Sequence, residues 1–106
     1  MKGDVVVLPF PFSDLSSSKK RPALVVANLE GDDLILCQIT SKNRADNYSI
    51  ILKNNDFRKG SLNLTSMIRP SRLFTADKSI ILYKIGMLKE SKIKEVETNI
   101  IKIFKN

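Results

Sequence analysis

The chain opens on a continuous apolar run, Val5 to Leu8, preceded by Gly3 and Asp4, whose length and β-branched character predict a strand. The PFPF segment, Pro9 to Phe12, is predicted to end it, because two of its four residues lack the amide proton that a ladder requires. A polar connection through Ser13, Asp14 and Ser16 to Ser18 then reaches a basic cluster, Lys19, Lys20 and Arg21, which runs into Pro22 and the apolar stretch Ala23 to Ala27. This reads as a loop entering a buried strand through a proline. Gly31 among acidic residues in Asn28 to Asp33 marks a turn, and Leu34 to Ile39 completes an antiparallel hairpin.

Further on, Tyr48 to Leu52 predicts a short strand and Lys53 to Gly60 a solvated loop. Ser61 to Ile68 alternates in part, with Leu62, Leu64 and Ile68 predicted inward, and leads to a second Arg-Pro pair, Arg69 and Pro70, with Arg72 close behind. Leu73 to Thr75 and Ile80 to Ile85 are strand candidates about a turn at Ala76 to Ser79. From Lys89 onward the period changes. Ile93, Val96, Ile100 and Ile103 recur every three to four residues, which predicts an amphipathic helix packed on the sheet, with Ser91 as a candidate cap and the lysines as a solvated face. The expected fold is mainly β (α+β), one domain over residues 1–106 with a C-terminal helix.

Composition adds a partner class. The 106 residues carry 18 Lys and Arg against 11 Asp and Glu, a net charge of +7. Residues 42–75 hold seven basic and two acidic side chains, whereas residues 1–41 hold four and five, so the positive field belongs to the middle and end of the chain. Such an excess suits a polyanion, nucleic acid first and an anionic membrane surface second. No apolar run approaches the length of a membrane span and no signal-peptide pattern opens the chain, so a cytoplasmic protein is expected. The single cysteine, Cys37, lies in the apolar run LILCQI and reads as a reduced core residue. With no histidine and no paired cysteines, no metal site and no cofactor are expected, and any catalysis must use carboxylates, hydroxyls, amines or guanidinium groups.

Two positions stand out chemically. Arg21 sits where a loop becomes rigid strand, so its planar fork of donors can meet a phosphate with little loss of side-chain freedom. Thr40, followed by Ser41 and Lys42, leaves a buried strand at a point held by the sheet yet facing solvent. Each also has an ordinary reading, as an exposed arginine beside a strand and as a threonine that ends one. Together with the basic centre they favour a protein that grips a phosphodiester backbone.

The segments GDVVVLPFPF (residues 3–12), KKRPALVV (19–26), LCQITSK (36–42), TSMIRPSRLFT (65–75) and IGMLKESKIKEV (85–96) resemble, in this order, the PemK/MazF family of type II toxin-antitoxin systems. The resemblance implies a small SH3-like β-barrel with a C-terminal α-helix, assembled as a homodimer. It further implies a metal-independent endoribonuclease that cleaves single-stranded RNA by 2′-hydroxyl attack and is silenced by a cognate antitoxin peptide in the RNA groove. Matched to the family motifs, Arg21 takes the place of the catalytic arginine and Thr40 that of the catalytic threonine. The groove would also be lined by Lys19, Lys20, Ser41, Lys42, Arg44, Ser66, Arg69 and Arg72. Two departures stand out: Ser16 to Ser18 occupy the place of a loop glutamate found in some members, and Ser66 lies where others carry an aspartate before the second arginine. That leaves Asp14 as the carboxylate of the first loop and the general base otherwise unassigned. The same fold resembles that of CcdB, a gyrase poison acting through protein contact, so a non-catalytic toxin and a degenerate RNA binder are the alternatives.

Overall fold

The computed structural model describes residues 1–11, 18–41 and 46–106. Within these residues seven strands form one curled antiparallel sheet: β1 (Asp4–Pro11), β2 (Ser18–Asn28), β3 (Asp33–Thr40), β4 (Ile50–Leu52), β5 (Phe57–Gly60), β6 (Ser66–Asp77) and β7 (Tyr83–Leu88). Their spatial order is β4-β6-β3-β2-β1-β7-β5, and helix α1 (Glu90–Phe104) follows β7 directly. The sheet closes part of a small barrel, the expected mainly β fold with its C-terminal helix.

Alternation along the strands divides the apolar residues between two faces. On one face Val5, Leu24, Cys37, Ile39, Ile68, Leu52 and Leu88 are buried with Val96 of α1, while Ile93 and Ile100 pack at their margin. Each fully buried Val, Leu or Ile contributes about 1.5–3 kcal/mol, so this face anchors the helix. Burial pushes the Cys37 thiol up to about 12, which keeps it protonated and inert as the sequence suggests. The opposite face carries a second cluster, Val6, Leu8, Ala23, Val25, Leu34 and Leu36, extended outward by Phe10 and Phe74 in an edge-to-face pair with ring centres 4.9 Å apart.

Several local expectations are corrected. Pro9 and Pro11 continue β1 opposite Lys20 and Ser18 instead of ending it. The Val7 carbonyl accepts the Leu82 amide at 2.8 Å on the β7 side. Residues 9 and 11 share that parity, so the protons they lack would point to the same flank, beyond the last β1 to β7 pair, Val7 with Tyr83. Pro22 escapes by the same logic: it faces Val7 in β1, and pairing with β3 begins only at Ala23 opposite Gln38.

The expected loop at Lys53 to Gly60 contains a 3-10 turn, Asn54–Asp56, and strand β5, whose Phe57 is buried in the helix-facing core. The strand expected over Ser61 to Ile68 is paired only from Ser66, and Leu64, expected inward, is 64% exposed. The strand candidates around Arg69-Pro70 merge into the single β6, because a bulge at residues 70–72 lets Cys37 face Leu73 while Gln38 faces Arg69. The strand expected from Ile80 begins instead at Tyr83, after a 3-10 turn at Lys78–Ile80 that leaves Ile80 exposed. Lys89, not Ser91, caps α1, its amide donating to the Asp56 carbonyl at 2.9 Å so that β7 feeds the helix directly. Lys92 is no solvated residue: its ammonium lies 2.9 Å from Glu95 and 3.6 Å from Asp56 and donates to the Ile51 carbonyl.

Candidate functional site

Arg21 is fixed in β2 opposite Leu8, two residues before the buried Ala23, so its backbone is held by the centre of the sheet while its half-buried side chain reaches outward. Its Nε is buried. Thr40 is the last residue of β3, buried, and opposite Met67 of β6. The β2 to β3 ladder stops at Ala23 and Gln38, and beyond it the two strand ends frame a cleft of about 290 Å³. Arg21 and Thr40 both line it, with Lys20, Ser41, Leu64 and Ser66 among their neighbours. The Ser66 hydroxyl donates to the Leu64 carbonyl at 3.0 Å, which shapes one side of the opening.

The described lining residues include a guanidinium, an ammonium and several hydroxyls but no carboxylate. Such a cleft favours an anion with several oxygens, because its charged side chains are both cations and the Thr40 and Ser41 side chains carry hydroxyl donors. Among the described residues no cluster of His, Cys, Asp and Glu could hold a metal ion.

Arg69 lies on the same sheet face as Thr40. Since Thr40 faces Met67, Arg69 is its diagonal neighbour across the ladder, a separation of roughly 7–8 Å that a long side chain spans. Its side chain is 13% exposed and its Nη2 lies 3.3 Å from Asp46 Oδ2. Asp46 also accepts the backbone amides of Tyr48 at 2.9 Å and Ser49 at 2.7 Å, and the hydroxyls of Ser49 at 2.9 Å and Ser71 at 3.1 Å. Partial burial works against its charge, but these hydrogen bonds outweigh it and bring the carboxyl down to about 2.

Of the other residues singled out in the sequence, Lys20, Ser41 and Ser66 line the Arg21 and Thr40 cleft, and the remaining described ones lie elsewhere. Lys19 and Lys20 are exposed on the outer end of β2, opposite Phe10 and Pro9. Ser66 is buried at the start of β6. Arg72 is exposed and lines a different cleft, of about 440 Å³, beside Phe10, Gln38 and Phe74. Asp14, Lys42 and Arg44 lie outside the described residues. Sequence reasoning missed Asp46. Its signal was local, an aspartate followed two and three residues on by amides it can cap, but its bond to Arg69 spans 23 positions and has no sequence signature.

The chain matches the family model described as PemK-like, MazF-like toxin of type II toxin-antitoxin system over residues 1–104. Among solved structures it is similar to an endoribonuclease in complex with its cognate antitoxin from a mycobacterial species, at 16% identity and a TM-score of 0.76, over 99% of this chain and 94% of that one. It is also similar to the Mycobacterium tuberculosis toxin MazF-mt6, at 17% identity and a TM-score of 0.75, over 96% of both chains. A third, the MazE-MazF complex from Deinococcus radiodurans, shares 17% identity at a TM-score of 0.76, over 97% of this chain and 94% of that one. No curated protein sequence matches the chain.

Proposed function

Since this chain belongs to the PemK-like, MazF-like toxin family of type II toxin-antitoxin systems, we propose that it is an endoribonuclease that cleaves single-stranded RNA in the cleft shared by Arg21 and Thr40. One observation carries this reading: the two side chains that the motifs single out, nineteen positions apart, line one cleft whose described lining holds cations and hydroxyls but no carboxylate.

The 2′-hydroxyl gives up its proton to a base and attacks the adjacent phosphorus, an O2′–P bond forms as the P–O5′ bond breaks, the departing O5′ takes a proton from water, and a 2′,3′-cyclic phosphate and a 5′-hydroxyl result. Charge builds on the non-bridging oxygens during attack. Arg21, braced by β2, stabilises that charge, and the Thr40 hydroxyl holds a phosphate oxygen in register with it. Lys19, Lys20, Ser41, Lys42, Arg44 and Arg69 track the phosphates on either side, and Arg72, in the neighbouring cleft, meets the RNA strand further along. Asp46 is unsuited to take the 2′-hydroxyl's proton, because its carboxyl titrates at about 2 and is already hydrogen-bonded. In this reading Asp14 takes it.

Two neighbours in complex with antitoxins, one mycobacterial and one from Deinococcus radiodurans, support a cognate antitoxin as partner here. An acidic peptide suits a +7 chain. A homodimer is part of the same reading, supported by the apolar Phe10 and Phe74 pair, by the exposed Ile80 that lines a cleft with them, and by the exposed Leu82 and Tyr83. No helix among the described residues is long and apolar enough to cross a membrane, which accords with action on cytoplasmic RNA.

The test is incubation of the protein with an end-labelled single-stranded RNA in excess chelator, beside Arg21→Ala. The native protein should produce new ends bearing a cyclic phosphate, and the variant should cut roughly 100-fold to 1,000-fold more slowly while giving a native circular dichroism spectrum. Cleavage by Arg21→Ala at the native rate would remove that residue from the mechanism. Intact RNA together with inhibited DNA supercoiling would replace the nuclease with a gyrase poison.

A further inference from the structure

We propose that Asp46 is a positioning residue for RNA binding: its carboxylate fastens the Asp46–Ser49 turn to the β6 bulge and so holds the Arg69 guanidinium against the face that carries Thr40. This rests on the nuclease reading of the Arg21 and Thr40 cleft.

The two carboxylate oxygens divide the work. Oδ1 closes the turn on its own chain, accepting the Tyr48 and Ser49 amides and the Ser49 hydroxyl. Oδ2 reaches across to β6, where it accepts from Arg69 Nη2 and from Ser71 within the bulge. An ordinary turn aspartate would need only the first set. The second set links the turn to the irregular part of β6, where the ladder between Gln38 and Cys37 is broken and the backbone is least determined by pairing.

Arg69 needs such a partner. Its neighbours along the ladder are Gln38 and, diagonally, Thr40, and its side chain is 13% exposed with the Nε buried. An arginine tethered at one amino group keeps other donors for a phosphate and loses less side-chain freedom when the phosphate arrives. An unanchored one would have to be ordered by the substrate. Asp46 therefore acts through Arg69 and touches neither the reacting phosphorus nor a proton in flight.

Steady-state cleavage of a single-stranded RNA oligonucleotide by the full chain, compared with Asp46→Asn, Arg69→Ala and the double variant, tests this. Asparagine retains an oxygen for the Tyr48 and Ser49 amides but removes the charge that faces Arg69. Asp46→Asn, folded by circular dichroism at the assay temperature, should raise KM roughly fivefold or more and leave kcat within about twofold. The double variant should then have the KM of Arg69→Ala alone. The pH profile above pH 5 should keep its shape.

A native KM in Asp46→Asn, effects that multiply with those of Arg69→Ala, or loss of one limb of the pH profile would each overturn the proposal. If the native protein leaves RNA intact, the nuclease reading fails on its own. The clamp is then decided by the NMR side-chain signals of Arg69: restricted guanidinium motion in the native protein and averaging in Asp46→Asn support it, and identical behaviour refutes it.

Discussion

The hydrogen bonds that converge on Asp46 give the fold a defined acid sensitivity. The carboxyl falls from an ordinary 3.8 to about 2 in the folded chain, and a displacement of that size corresponds to about 2 kcal/mol of folded-state stabilisation. The side chain is 27% exposed, so solvent screens the interaction only in part. Because the folded value is the lower one, the stabilisation is fully present above the unfolded value and is lost as pH falls from about 4 toward 2. Asp46→Asn removes the charge at every pH. Urea unfolding of the two proteins should therefore differ by about 2 kcal/mol at pH 7, a midpoint shift of about 1–2 M, with the curves converging as pH drops below 3. A gap that stays constant between pH 7 and pH 2.5, or no gap at pH 7, would refute the attribution to this carboxylate.

Three further outcomes follow from packing and charge. A methyl group at Gly86 would fall on the Lys59 carbonyl oxygen and within 3.0 Å of the Gly60 Cα, so Gly86→Ala should destabilise by about 2 kcal/mol or more, read as a lower Tm. RNA affinity should fall steeply with salt, and Lys20→Ala should reduce the slope of log K against log salt by about 0.7 if that exposed ammonium meets a phosphate of a single strand. Cys37, buried and with its thiol pushed up to about 12, should resist a thiol-reactive disulfide at pH 8 in the folded chain and react only on addition of denaturant.

The parts of the fold legible in the sequence are those where burial is continuous along the chain. Val5 to Leu8, Ala23 to Val25 and Leu34 to Ile39 are apolar because both faces of the sheet are covered there, and the change of period after Lys89 marks the helix. What escaped depends on neighbours distant in sequence. Phe57 stands alone among polar residues, and only its place opposite Leu88 makes it core. Leu64 has the spacing of an inward residue but precedes the first β6 pair, so no ladder turns it in.

The candidate site was legible in the same measure. Arg21 and Thr40 could be named because each adjoins a readable strand, and their shared cleft follows from where the β2 to β3 ladder stops. Arg72 could be named but not placed, because the bulge that directs it to another cleft has no signature beyond a proline. The partnership of Asp46 and Arg69 belongs to tertiary structure alone.

The alternate prolines of β1 have a consequence for assembly. Past Val7 no described strand pairs with β1 on the β7 side, and an unpaired margin normally invites another chain to zip onto it. With Pro9 and Pro11 at the two positions whose amides would face outward, the margin has no protons to offer. A strand that settles there can donate to the Pro9 and Pro11 carbonyls but receives no amide proton in return, so at most half a ladder forms and the margin is a poor seed for a growing fibre.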